Sequence, residues 1–233
     1  MGTDMRQRRV NLDRETPFSF ACRRCRACCR NKKIQVNPYE ITRLARNRGL
    51  SAADFINRYT TAAGTCLLWD AEGRCIFLDS RGCTVHQDRP LVCRLYPLGR
   101  HVTPTLQESF SEFEPDPACR GAYGTGATIG DYLDAQRTHP FMAAADKYLQ
   151  LFWRLCDILQ KDAANHQAII NALVKPSCGA AEPYDILGDV DRAVSDFCKR
   201  EQVARPLTIE DELVIHIRAI EAWAGHSMKG GEK

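Results

Sequence analysis

Four thiols crowd into eight residues at Cys22-Arg-Arg-Cys25-Arg-Ala-Cys28-Cys29, with arginines between them. Side-chain packing does not ask for such a run. A core wants apolar groups at helical or strand spacing, and idle neighbouring thiols are open to oxidation. The run points to a metal ion or an iron–sulfur cluster, with further thiols supplied from downstream. The Cys-x2-Cys spacing suits a metal knuckle if the backbone turns. If the run is helical, the four sulfurs fall within an arc of about 120°.

The chain has 12 cysteines among 233 residues. That density is below the ~8–10% of disulfide scaffolds, and the chain is too long for that class. The first 17 residues hold no apolar run of the secretory kind, and no stretch reaches the ~18 apolar residues of a membrane span. A cytoplasmic location, where thiols stay reduced, is therefore expected. Charge is uneven. Residues 1–33 carry ten Lys or Arg against three acids, a net of +7, and the whole chain is +3, so the rest is −4. Cations beside thiols favour the thiolate that metals need, and they offset an anionic centre. A nucleic-acid patch is the rival reading. The stretch lacks interleaved aromatics and an RNA-binding signature, which argues against nucleic acid as a partner.

Taken in order, residues 1–17 read as a polar, mobile arm. Asn37-Pro38-Tyr39-Glu40 starts a helix with a capping box, which Gly49 ends, and Ser51 starts a second. Both helices are expected to pack around the metal centre. Cys66–Trp69 and Cys75–Leu78, separated by Asp70-Ala-Glu-Gly-Arg74, read as a β-hairpin. Ser80-Arg81-Gly82 makes another turn. A short helix carrying Cys93 follows Pro90 and ends at Tyr96-Pro97. Small irregular modules with cysteines at their turns draw cohesion from a metal.

The ordered set Cys-x2-Cys-x2-Cys-Cys, Cys75-Ile-Phe-Leu, Gly82-Cys83-Thr-Val, Arg89-Pro90-Leu-Val-Cys93-Arg94-Leu95-Tyr96-Pro97 and Cys119 resembles the YkgJ-type cysteine-cluster, or CxxCxxCC, family of zinc- or iron-chelating proteins. The resemblance covers roughly residues 20–126. It implies a metal or Fe–S centre held by Cys22, Cys25, Cys28, Cys29, Cys75, Cys83, Cys93 and Cys119. Some relatives are flagellin lysine methylases, which implies a protein-modifying role for part of the family. Cys66 is an addition to the pattern, and Arg120 replaces a usual proline. Eight thiols make two sets of four, and successive side chains diverge in a turn. Two centres are thus expected, with Cys28 and Cys29 divided between them.

The remaining chain reads as helical. Thr128–Asp131 caps one helix. Tyr148, Leu151, Phe152, Leu155, Ile158 and Leu159 keep helical spacing, and Ala168–Val174 extends or follows that helix. Ile186–Glu201 and Ile209–Trp223 complete a bundle. The expected class is α+β, mostly helical: a polar arm (1–17), a cysteine-rich module with a short hairpin (18–126), a helical domain (127–225) and a polar tail (226–233). The glycines after Cys119 read as a flexible exit from the module, and Glu112, Glu114 and Asp116 as a solvated acidic loop. Cys156 and Cys198 read as small buried hydrophobes and Cys178 as an exposed loop thiol. His86 reads as solvent-facing, although Cys83-x2-His86 is a ligand spacing. His101, His139, His166, His216 and His226 read as surface or capping groups. Three function classes remain: an iron–sulfur (4Fe–4S) or other metal protein serving redox or enzymatic chemistry, a structural zinc module whose helical half receives a protein partner, and a metal carrier. Ligand type alone does not separate zinc from Fe–S, and the close-set thiols tilt the reading towards Fe–S.

Overall fold

A computed structural model describes residues 7–61, 64–114, 116–161 and 188–229. Helices and small antiparallel sheets make it an α+β chain. Its contacts gather into two units, each drawing on separated stretches: residues 1–36 with 66–143, and 37–65 with 144–233. No described helix is long and apolar enough to cross a membrane.

The first unit is built on two sheets. Strand β1 (Gln7–Leu12) pairs antiparallel with β4 (Glu108–Phe113), which pairs with β3 (Leu98–Val102). Strand β2 (Pro17–Ala21) pairs with β5 (Ala122–Thr128). Residues 7–12, expected as a mobile arm, are therefore an edge strand. Alternating Arg8, Val10 and Leu12 hid that role, because a polar edge strand looks like a tail until its partner is known. The glycine-rich stretch after Cys119 is likewise a strand and not a flexible exit. Gly124 fits a close approach: a Cβ there would sit 2.8 Å from the Ser19 hydroxyl.

Between the sheets lies a core of Phe18, Leu95, Leu98, Phe110, Ile129, Tyr132, Leu133 and Met142. Helix α4 (Ile129–Ala135) closes it, started by the Thr128–Asp131 capping box that the sequence announced. Glu112 is a correction. Its side chain is 3% exposed in β4, not part of a solvated loop, and Arg9 binds it at 2.5 Å with Arg8 at 3.6 Å. A carboxylate is tolerated there because it is paired.

In the second unit, α1 (Pro38–Asn47) has its capping box at Asn37 and Glu40, and α2 (Ala52–Tyr59) is capped by Ser51. Their partners are C-terminal helices. Helix α1 packs on α7 (Ile209–Lys229), and α2 on α6 (Val190–Glu201). Asp191 reinforces this arrangement by accepting the Ala52 N–H at 2.7 Å. Along α5 (His139–Lys161), Leu151 and Leu155 join Ala193, Ile220 and Ala224 in a small core, while Phe152 is 55% exposed. His216, read as a surface group, is fully buried and meets the Tyr148 hydroxyl through Nδ1 at 2.8 Å. The side chains of Ile158, Leu159 and His226, and residues Ala168–Val174, His166, Cys178, Ile186 and the 230–233 end of the tail, lie outside the described residues.

Candidate metal centre

The thiol-rich run leaves β2 and folds as turns, not as a helix. Arg24 and Arg26 take positive φ, and Ala27–Cys29 forms a single 3-10 turn. The run is then fastened to the expected hairpin. The Cys75 N–H donates to the Cys29 carbonyl at 2.9 Å and the Asn31 N–H to the Gly73 carbonyl at 2.8 Å. The hairpin itself is short, bridged at Trp69 and Cys75, with Asp70 capping its turn and bonding Arg74. Cys66 and Leu67 belong beside the incoming chain: the Leu67 N–H donates to the Ile34 carbonyl at 2.9 Å. A second turn pairs Leu78–Asp79 with Gly82–Cys83, and the short helix α3 (Leu91–Leu95) carries Cys93.

These connections bring distant thiols together. Cys28 and Cys29 place their sulfurs 4.0 Å apart. Cys25 and Cys119, from opposite ends of the module, lie close enough to influence each other's ionisation. Cys75 lies within electrostatic reach of both Cys83 and Cys28. Cys22 is exposed and Cys93 half-buried on its helix. As placed, no group of three or more His, Cys, Asp or Glu among the described residues is gathered tightly enough to enclose an ion. The thiols thus meet in pairs and neighbours.

Several sulfurs are set up as acceptors. The Arg24 N–H points to the Cys22 sulfur, Arg120 N–H to Cys25 and Gly121 N–H to Cys119, each at 3.4 Å. Backbone amides aimed at sulfur stabilise the thiolate. The Arg120 amide is the main cause that holds the Cys25 thiol below its ordinary range. Burial pushes Cys119 up despite the Gly121 amide and a Tyr96 hydroxyl bond. The Cys28 thiol is pushed far up, first by its hydrogen bond to Cys29 and then by burial, and Cys75 is raised mainly by burial. Thiols crowded in this way cannot all ionise without a cation, and a bound metal removes that penalty. The Tyr123 hydroxyl, near Cys119 and Tyr96, is buried without a hydrogen-bond partner. The donor set, the amides and this spare hydroxyl suit a soft-ligand metal site.

Two supports were not legible as such. Arg94 is 4% exposed, and its guanidinium donates to backbone carbonyls. It donates to Arg89 at 3.0 Å, to Gln136 at 2.9 Å and to Gln87, and it covers the Phe141 ring at 4.0 Å. It thereby fixes the loop between Cys83 and Cys93. The Tyr132 hydroxyl donates to the Tyr96 carbonyl at 2.6 Å. Gly121 is needed because a Cβ there would overlap the Phe20 ring. His86 lies in an exposed turn with its Nδ1 3.3 Å from Arg89. Cys198 is buried as expected, Cys156 is half-buried, and Cys66 is 3% exposed in a strand.

Residues 21–119 match the family model described as "CxxCxxCC: Putative zinc- or iron-chelating domain". No curated protein and no solved structure matches the chain.

Proposed function

We propose that the chain binds its metal in a thiolate centre of the mononuclear, tetrahedral kind, with zinc as the resident ion, a reading supported by the match of residues 21–119 to a zinc- or iron-chelating family model. The Cys28–Cys29 sulfur separation of 4.0 Å carries this reading. Four sulfurs at ~2.3 Å from one zinc lie about 3.8 Å from each other. A cubane cluster takes one cysteine per iron, which sets its cysteine sulfurs further apart. The spacing supports a shared ion for these two neighbours over their division between two centres, and it shifts the balance from Fe–S towards zinc.

Cys28, Cys29, Cys75 and Cys83 form the first candidate ligand set, because Cys75 senses both Cys28 and Cys83. Cys25 and Cys119 lie within electrostatic reach of each other, and with Cys22 and Cys93 they complete the eight. A bound zinc ion supplies fixed positive charge and a rigid crosslink. The chain's own part is to present deprotonated sulfur, through the amides of Arg24, Arg120 and Gly121, and to hold the turns in place through Arg94. The role is structural: the metal fastens the N-terminal run to the hairpin segment.

The test is elemental analysis and a visible spectrum of protein purified without oxygen. Colourless protein carrying zinc supports the reading. Brown protein with iron and acid-labile sulfide in similar amounts overturns it in favour of a cluster.

A further inference from the structure

Between Glu15 and Glu40 the chain has no carboxylate and six cations, at 23, 24, 26, 30, 32 and 33. Elsewhere arginines are mostly committed: Arg9 to Glu112, Arg46 to Glu212, Arg100 to Glu108 and Arg154 to Glu221. None of these six is in an ion pair among the described residues. Five are exposed and Lys32 is half-buried. A metal site would be served by one or two neighbouring positive charges, and its sulfurs already receive backbone amides. The remaining charge is a surplus that faces solvent.

The tertiary structure adds what the linear run lacks. Trp69, 37 positions beyond Lys32, donates its indole N–H to the Lys32 carbonyl at 2.8 Å. The ring is pinned at its polar edge, yet the residue stays 41% exposed. Indoles usually bury their area, so an immobilised, open tryptophan beside unpaired cations is a surface in need of a partner. At the other end of the run, Arg26 donates to the Ser80 carbonyl at 3.1 Å, and Arg24 lies near His86. The run is therefore anchored beside Ser80 at one end and beside Trp69 at the other, with its exposed cations along the segment between. The acids nearest its tryptophan end, Asp70 and Glu72, are both occupied by Arg74.

We propose that this cationic run and Trp69 bind single-stranded nucleic acid, with phosphates along the arginines and lysines and a base stacked on the indole. Cationic grooves joined to aromatic platforms are how single strands are held without sequence preference. A duplex hides its base faces and is read by an element that enters a groove, whereas this surface is made of turns. An acidic peptide would satisfy the charges but would leave the fixed indole without a role. The proposal does not depend on which metal the cysteines hold.

The experiment is fluorescence anisotropy of the full, metal-analysed chain with labelled oligouridylate and oligothymidylate of about 12 nucleotides. Binding should be saturable and should weaken with salt, by about 0.7 log units per phosphate contacted for each log unit of salt. Trp69→Ala should weaken binding about tenfold, while Trp69→Phe, which keeps a ring, should restore most of it. The double variant Arg30→Gln/Lys33→Gln should lower the salt slope by about 1.4. Metal content measured on each sample separates loss of this surface from loss of the centre. Failure of the metal-loaded protein to bind either oligomer overturns the proposal. So does equal binding of polyglutamate that Trp69→Ala leaves unchanged, which would assign the surface to an acidic protein.

Discussion

At the scale of single residues, the sharpest expectation concerns Cys28 and Cys29. With their sulfurs 4.0 Å apart, Cys28→Ser and Cys29→Ser should each remove the same metal, and the double variant should remove no more than either alone. Loss of different metals in the two variants, seen by elemental analysis, would restore the two-centre division. Glu112 gives a second expectation. It is nearly fully buried beside Arg9 and Arg8. Glu112→Ala would remove a charge-assisted hydrogen bond from the partly exposed Arg9 and should cost about 2 kcal/mol in urea unfolding. The nature of these residues was visible in the sequence, but their environments were not. Glu112 looked like part of an acidic loop because Glu114 and Asp116 follow it, and nothing local to Arg94 marks it for burial. Each is defined by partners far along the chain.

At the scale of elements, the three-stranded sheet is held by charge as well as by backbone pairing. Glu108 on β4 takes Arg14 at 2.5 Å and Arg100 at 2.6 Å. Burial alone would raise its carboxyl, but the hydrogen bonds from Arg14 and Arg100 outweigh it and hold the group below its ordinary value of 4.5. A depressed carboxyl stabilises the fold above its unfolded value and loses that contribution as pH falls through the folded one. The first unit should therefore weaken below about pH 4.5 as Glu108 is protonated. Glu108→Gln should flatten that part of the stability–pH curve, which denaturant melts at several pH values would show. An unchanged curve would place the acid sensitivity elsewhere. Thr128 starts α4 through a side chain that bonds the Asp131 amide. Thr128→Ala should cost about 1 kcal/mol, read from the same melts. The caps at Asn37, Ser51 and Thr128 were legible because capping is local: a few residues carry both donor and acceptor.

At the scale of the whole molecule, metal removal should act unevenly. The core of Phe18, Leu95, Phe110, Ile129 and Leu133 includes no cysteine, and the second unit has a core of its own. Chelation under reducing conditions should expose the amides of Asn31 and Cys75, whose bonds fasten the run to the hairpin segment. Amides in β4 and in α6 should stay protected. Hydrogen exchange on apo and loaded protein checks this, and equal protection of residues 22–36 in both would show that the metal does not organise the module.

Local pattern carried much of the reading. The amino-acid sequence by itself determined the thiol pattern that matches a zinc- or iron-chelating family model over residues 21–119, the caps and the amphipathic helices, since thiol spacing, capping residues and helical period act within a few positions. Only the tertiary structure decided the rest. It made residues 7–12 a strand and the glycine-rich stretch its neighbouring sheet's edge, because a strand of polar or small residues is defined by the partner it pairs with. It placed the helices at 38–59 with the C-terminal ones, paired Cys25 with Cys119, and set Trp69 against Lys32. These are contacts between residues far apart in the chain. Their formation depends on loop closure and burial summed over the whole fold, which no local pattern records.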